Sequence, residues 1–313
     1  MRRKWQKKKQ VYLLALFACI IPITTIAFTY GALKTANPTD TISRGIAGDT
    51  VYIDDSTSDY YYYTGQNYTN SSNGSLPTLN DKNIPFVIVS ARSPKAIYPI
   101  LKRYNLNTNI ISFSGGAILN NDRNVIFNEG FNKMQVKEII DFIKKEQFDL
   151  TWNLYSIDKW VVHDKNDPRV LLEESIVKDS SIQGDESLFE NDEKINKILC
   201  ICNPLYTNMI QEKLRNKFKE YSICLSSKNL LEIMPNNISK GNAIINYCKI
   251  NNICTDNCVG FGDNYNDESM LKAVKYGVLM DNAPSELKKH FNYITASNNE
   301  DGIYAFLNDN KII

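Results

Sequence analysis

A chain of 313 residues with 43% hydrophobic and 23% charged residues is long enough for two domains with cores of their own, and its composition is that of an ordinary globular protein. Lys and Arg number 36 against 35 Asp and Glu, a net charge of +1 that gives no general pull toward nucleic acid, so no nucleic-acid partner is expected. Seven cysteines with only two histidines, His163 and His290, and no paired CxxC argue against a zinc site and leave buried free thiols as the default state.

Taken in order, the chain begins with a basic flank at residues 1–10, where Arg2, Arg3, Lys4, Lys7, Lys8 and Lys9 precede an uncharged run from Gln10 to Leu33. As a helix that run would be roughly 36 Å long, enough to cross a bilayer. Residues 11–33 are therefore expected to form a transmembrane signal-anchor, with the basic flank cytoplasmic and the rest extracytoplasmic. Cleavage near Thr29-Tyr30-Gly31 would instead give a secreted protein. Residues 34–48 form a polar linker. Thr50 to Ile53 is β-prone and stops at Asp54-Asp55, and the Tyr-, Asn-, Ser- and Gly-rich tract from Asp59 to Lys82 reads as loop.

Regular patterning returns with a buried strand at Pro85 to Ser90. A helix follows with Ile97, Ile100 and Leu101 on one face, and then a strand from Asn109 to Phe113 that leads into Ser114-Gly115-Gly116-Ala117. Strand, helix, strand is the opening of a parallel sheet. The middle third mixes short elements: a helix at Val136 to Ile143, strands at Leu150 to Tyr155 and Trp160 to His163, a helix at Pro168 to Ile176, a strand at Ile198 to Cys202, a helix at Leu205 to Phe218 and a strand at Tyr221 to Leu225. From Leu230 the first style resumes. The predicted architecture is α/β, with a Rossmann-like core at 49–117 and 230–313 interrupted by an α+β cap at 118–229.

One stretch carries distinctive chemistry. Gly260-Phe261-Gly262-Asp263-Asn264-Tyr265-Asn266-Asp267 reads as a strand end, a loop and a helix start. Clustered Asp and Asn oxygens at such a strand edge suit a hard cation such as Mg²⁺. They also suit an Asx turn followed by a helix cap, and the stretch alone does not separate the two.

In register with it stand Leu231-Glu232-Ile233-Met234-Pro235, Ser239-Lys240-Gly241, Met280-Asp281-Asn282-Ala283 and Asn299-Glu300-Asp301-Gly302, with Val89-Ser90-Ala91-Arg92 upstream. Together these resemble the haloacid-dehalogenase-like (HAD) hydrolases, in particular their Cof-type sugar-phosphatase branch. The resemblance covers about residues 50 to 310 and implies the roles that follow. Asp54, after Val51-Tyr52-Ile53, would be the nucleophile that takes the phosphoryl group as an aspartyl phosphate. Ser90 and Lys240 would bind and neutralise the phosphoryl group, with Arg92, Ser114, Gly115 and Asn266 completing the phosphate and substrate contacts. Asp54, the main-chain carbonyl of Ser56, Asp263, Asn266 and Asp267 would hold or brace Mg²⁺.

The first motif departs from the family pattern. Where the family carries a second Asp, which moves the proton, this chain has Ser56, and Thr57 replaces the usual Gly. Loss of a positioned general acid/base typically costs about 10²- to 10⁴-fold. The expected function is thus a Mg²⁺-dependent phosphatase of a small phosphorylated metabolite, a sugar phosphate by the family's habit. The alternative is a catalytically silent, membrane-anchored relative. In the cap, His163 is expected to be structural, and Trp152 and Trp160 to pack the cap, with contact to substrate as the alternative for the two tryptophans.

Overall fold

The structure is a computed structural model. It describes residues 12–16, 51–54, 59–62, 84–103, 105–177 and 179–312, the first three segments by their backbone alone. The chain divides into two compact units, one made of Met1–Phe86 with Ile253–Ile313 and the other of Val87–Asn252.

The first unit opens with β1 (Tyr12–Leu16), which runs parallel to the later strand Cys258–Gly262, with Tyr12, Leu13 and Leu14 opposite Cys258, Val259 and Gly260. Next come β2 (Val51–Asp54) and β3 (Asp59–Tyr62), an antiparallel ribbon in which Asp54 faces Asp59. Two expectations change here. Tyr12–Leu16 is a strand and not the start of a helix; a short apolar run satisfies either geometry, and a partner strand decides. Asp59–Tyr62, part of the tract read as loop, is a strand that pairs with the one ending in Asp54, since a short connection costs little closure entropy and tyrosines favour extended backbone. The two edges of Cys258–Gly262 are taken by β1 and by Tyr276–Met280. The remainder of the predicted anchor, and the linker at 34–48, lie outside the described residues. Among the described residues no helix is long and apolar enough to cross a membrane.

The second unit begins within β4 (Phe86–Val89). With α1 (Pro94–Arg103) and β5 (Asn109–Ser112) it makes a parallel βαβ turn, Val87 to Val89 pairing with Asn109 to Ile111. The short antiparallel strands β6 (Ala117–Leu119) and β7 (Val125–Asn128) continue from β5.

Then comes α2 (Lys133–Lys145), which buries Val136, Ile139, Ile140 and Ile143 at helical spacing. Its start is fixed by a reciprocal capping box between Asn132 and Gln135. The remaining elements are β8 (Leu150–Tyr155), β9 (Trp160–Val162), α3 (Pro168–Val177), β10 (Ile182–Gln183), β11 (Lys197–Cys202), α4 (Thr207–Lys217), β12 (Tyr221–Leu225), β13 (Leu230–Pro235) and α5 (Lys240–Ile250). Their strands form a six-stranded sheet in the order β10–β9–β8–β11–β13–β12. The inserted sheet therefore runs past the predicted boundary at 229: Leu230–Pro235 pairs with both β11 and β12.

The first unit resumes with β14 (Cys258–Gly262), α6 (Glu268–Ala273), β15 (Tyr276–Met280), α7 (Ser285–Lys288), β16 (Tyr293–Thr295) and α8 (Gly302–Asp309). Its strands β16, β15, β14 and β1 follow one another in parallel. Every residue of β14 is buried, as a strand flanked on both sides requires, and this explains its unbroken apolar character. Among the described residues Cys200, Cys202, Cys248 and Cys258 are buried, whereas Cys224 and Cys254 are exposed.

Candidate active site

In the first unit the predicted site residues Asp263, Asn266 and Asp267 stand just beyond the carboxyl end of β14. The chain must turn sharply after Gly262, and a Cβ there would sit 2.5 Å from the Cβ of Asp267. Asp267 is fully buried, and its Oδ2 accepts the backbone N–H groups of Asp263 at 3.0 Å and of Asn264 at 3.1 Å. One carboxylate oxygen thus holds the loop in shape. Asn264 caps the short 3₁₀ turn Tyr265–Asp267. Asn282, just past β15, donates from Nδ2 to Asp263 Oδ2 at 2.8 Å, and its own Oδ1 accepts the N–H of Asn298 at 3.1 Å.

The Asp263 carboxylate is therefore aimed by a neighbouring loop. Asn266 Oδ1 is buried and has no hydrogen-bond donor among the described residues. An orphaned amide oxygen on the same loop as an aimed carboxylate is donor chemistry that a hard cation takes up. Among the described residues no three His, Cys, Asp or Glu side chains converge as a metal site. A two-donor oxygen set fits Mg²⁺, which keeps several of its waters. Asp267, committed to two N–H groups, braces the loop.

In the second unit Ser90, Arg92, Ser114, Gly115 and Lys240 come from three segments. Ser90 is buried immediately after β4, its N–H bonded to Ile111 O at 2.8 Å and its Oγ accepting the N–H of Arg92 at 3.1 Å. The turn is tied to the loop after β5: Ser114 N–H donates to Ser90 O at 2.9 Å, and Phe113 N–H to Arg92 O at 3.0 Å. That loop has left-handed backbone at Phe113 and Ser114, and Gly115 has φ +113°. A Cβ on Gly115 would lie 2.5 Å from Ser239 O and 2.9 Å from Ala243 Cβ, so glycine is what lets the loop lie against the start of α5. Ser239 caps that helix by accepting the N–H of Asn242, and Lys240, its first residue, is 1% exposed. Serine hydroxyls, a buried lysine and a helix N-terminus are groups that can receive an anion.

The remaining predicted residues are not joined to these groups. Asp54 ends β2 in its own ribbon, and Ser56 lies outside the described residues. Trp152 and Trp160 are each 2% exposed. Trp160 Nε1 donates to Asn153 Oδ1, and Trp152 packs on His163 at 5.1 Å between ring centroids, which is packing work. Sequence reasoning missed Asn282 as the partner of Asp263. It also missed Lys197, whose Nζ reaches Ala91 O at 3.3 Å and Glu232 Oε1 at 3.4 Å. A lysine opening an otherwise apolar strand was the available signal.

The sequence profile of the haloacid dehalogenase-like hydrolases matches residues 62–307, beginning after Asp54. A Haemophilus influenzae protein named as a candidate phosphatase is 34% identical over 234 residues, covering 75% of this chain and 88% of that protein. A Methanobrevibacter smithii phosphoglycolate phosphatase is 23% identical over 228 residues, 71% of this chain and 82% of its own. Among solved structures, a Thermotoga maritima protein aligns with a TM-score of 0.65 at 25% identity, covering 73% of this chain and 86% of that one. A haloacid dehalogenase-like hydrolase from Bacteroides thetaiotaomicron aligns with a TM-score of 0.67 at 23% identity, covering 75% and 89%. With a profile match over most of its length and a relative above 30% identity, the chain belongs to the haloacid dehalogenase-like hydrolase family.

Proposed function

We propose that this hydrolase is a Mg²⁺-dependent phosphatase of small phosphorylated metabolites, with sugar phosphates as its substrate class. The observation that carries the reading is the loop after β14, where an aimed Asp263 carboxylate stands with the orphaned Asn266 Oδ1. Asp263 and Asn266 would hold the cation, which supplies charge neutralisation at a phosphoryl oxygen. Ser90 Oγ, the loop at Ser114 and Gly115, and Lys240 at the start of α5 would bind phosphoryl oxygens, with Arg92 toward the substrate. Asp54 is the nucleophile candidate. Its carboxylate would attack phosphorus, the ester oxygen would leave with the bonding pair and take a proton from solvent water, and a second water would then release phosphate from the aspartyl group. Ser56 cannot supply the proton as a carboxylic acid does, so a slow first step is expected. The names of two relatives, a 5-amino-6-(5-phospho-D-ribitylamino)uracil phosphatase from Bacillus subtilis and the phosphoglycolate phosphatase, support a small phosphomonoester as substrate.

A second reading, a relative that binds but does not turn over, draws on a separate observation. The strand paired with β14 on the side away from β15 is Tyr12–Leu16, which has no carboxylate, while Asp54 belongs to another ribbon. Turnover of an aryl phosphate with and without Mg²⁺ decides between them. In the phosphatase, Asp263→Ala and Asp54→Asn each lose at least about 100-fold. Equal rates in wild type and Asp263→Ala overturn the enzyme reading. A rate that survives Asp54→Asn but not Asp263→Ala keeps the phosphatase and removes Asp54 as nucleophile. The proposed membrane anchor is tested by alkaline extraction of membranes from cells making the full chain. Retention in the pellet supports an anchor, and release shows that Tyr12–Leu16 serves the sheet alone.

A further inference from the structure

Asn282, just past β15, uses both ends of its side-chain amide. Oδ1 accepts the backbone N–H of Asn298 at 3.1 Å, and Nδ2 donates to Asp263 Oδ2 at 2.8 Å. A backbone N–H can only donate, so it fixes the oxygen end of the amide toward Asn298 and turns the NH₂ end to Asp263. A flip would face donor with donor and oxygen with oxygen, and both bonds would go.

The segments on either side of this amide are braced. Asn298 opens a 3₁₀ turn, Asn298–Glu300, in which the N–H and Oγ of Ser297 donate to Glu300 Oε2 at 3.2 and 2.8 Å and the Glu300 N–H returns to Ser297 O at 3.0 Å. Gly302 N–H also donates to Ser297 O, at 3.1 Å, and Thr295 Oγ1 to Gly302 O at 2.6 Å, which ties β16 to the start of α8. On the other side Ala283 N–H closes a turn onto Met280 O at 3.0 Å, and Lys288 Nζ holds Asp281 Oδ1 at 2.6 Å. Asn282 is thus seated between two fixed turns, and its NH₂ group is presented to one oxygen of Asp263. The loop's other carboxylate is spent in the same manner, since Asp267 Oδ2 accepts two N–H groups. Asn266 Oδ1 is an amide oxygen and can give a cation one contact only.

We propose that Asn282 is a positioning residue that selects the cation. A carboxylate grips an ion with both oxygens only by turning both toward it, and Asp263 Oδ2 is turned to Asn282. The loop therefore suits an ion that takes one oxygen per carboxylate in octahedral geometry, Mg²⁺ or Mn²⁺, and disfavours Ca²⁺, whose larger shell is commonly completed by a carboxylate that binds through both oxygens. Asn282 acts through Asp263 and needs no contact of its own with the ion. The inference rests on the reading of the loop after β14 as a cation site.

The test is Mn²⁺ binding to the full chain without substrate, read from the loss of the free-ion EPR signal, followed by displacement with Mg²⁺ or Ca²⁺, so it does not depend on turnover. In the wild type Mg²⁺ should displace Mn²⁺ at lower concentration than Ca²⁺ does. Asn282→Ala releases Oδ2 from the amide and should shift the ratio of the two displacing concentrations toward Ca²⁺ by about 5-fold or more, the order expected for a partly exposed hydrogen bond to a charged group. Asn282→Asp keeps an acceptor for the Asn298 N–H while removing the donor, and it should shift the ratio the same way even if the alanine variant fails to fold. Equal weakening of both ions in Asn282→Ala would make the residue a plain support of the loop and overturns the inference. So does a ratio that survives in the folded variants, or a wild type displaced as readily by Ca²⁺ as by Mg²⁺. A wild type that binds no Mn²⁺ fails the cation reading of the loop and this inference with it, whereas binding with an unchanged ratio fails this inference alone.

Discussion

Asp267 and Lys197 are both charged and almost wholly buried, yet they are bonded in opposite ways. Asp267 spends one oxygen on two backbone N–H groups at 3.0 and 3.1 Å and thereby shapes the loop that presents Asp263. Lys197 has two contacts at 3.3 and 3.4 Å for three hydrogens. A buried charge whose bonds are short and internal is scaffold. One whose bonds are long and incomplete is held at a cost to the fold.

The largest effect should come from breaking the scaffold side of this contrast. Asp267→Ala leaves the Asp263 and Asn264 N–H groups without their acceptor, and each orphaned buried group costs about 1–3 kcal/mol. A loss of about 3 kcal/mol in urea unfolding is expected, together with loss of Mg²⁺-dependent activity. A cost below about 1 kcal/mol would show that the loop has another support. The paired change Lys197→Met with Glu232→Gln removes both partners of a poorly bonded ion pair and should cost under about 1 kcal/mol. If the double variant is as damaged as Asp267→Ala, the contrast between the two kinds of buried charge is wrong.

Next in size is the loop against α5. At Gly115 an added methyl meets Ser239 O at 2.5 Å, and the φ of +113° is strained for any L side chain. Gly115→Ala should cost about 2 kcal/mol and weaken phosphate binding, because the cap of α5 and the Ser114 backbone must both shift. Urea unfolding and phosphate calorimetry read the two effects separately. Weakened binding at unchanged stability would mean that the loop yields without disturbing the helix.

Legibility in the sequence followed the reach of the interactions. The helix at Lys133–Lys145 was readable because Val136, Ile139, Ile140 and Ile143 repeat at its own period, and the loop after β14 because Gly262, Asp263 and Asp267 interact within six residues of chain. The first strand was not. Tyr12–Leu16 and Val51–Asp54 are both short β-compatible runs, and which one pairs with Cys258–Gly262 depends on partners some two hundred residues away in sequence. Periodicity carries no information about a partner that distant. The pairing of Lys197 with Glu232 was not legible for a related reason. They are adjacent only across strand pairings, and a lone lysine at a strand start usually means a solvated end.

The smallest effect, and the sharpest test of how the charges are held, is the opposite pH dependence of two carboxyls in the second unit. Asp167 is held below the usual carboxylate range, chiefly by its hydrogen bonds with Arg169, whose guanidinium lies 2.7 Å from Oδ2. Its contribution is present above the unfolded pKa and is lost as pH falls through the lowered folded value. Glu173 is held above that range by burial, so its ionisation is a cost to the fold. The cost is complete above the raised folded value and vanishes below the unfolded one. Asp167→Asn should therefore destabilise at pH 7, with a deficit that shrinks in acid. Glu173→Gln should stabilise at pH 7, with a gain that shrinks as pH falls toward the ordinary glutamate range. Urea midpoints at neutral and acidic pH read both. If Glu173→Gln destabilises at pH 7, its carboxylate is already bonded in the protein and burial does not set the sign of its contribution.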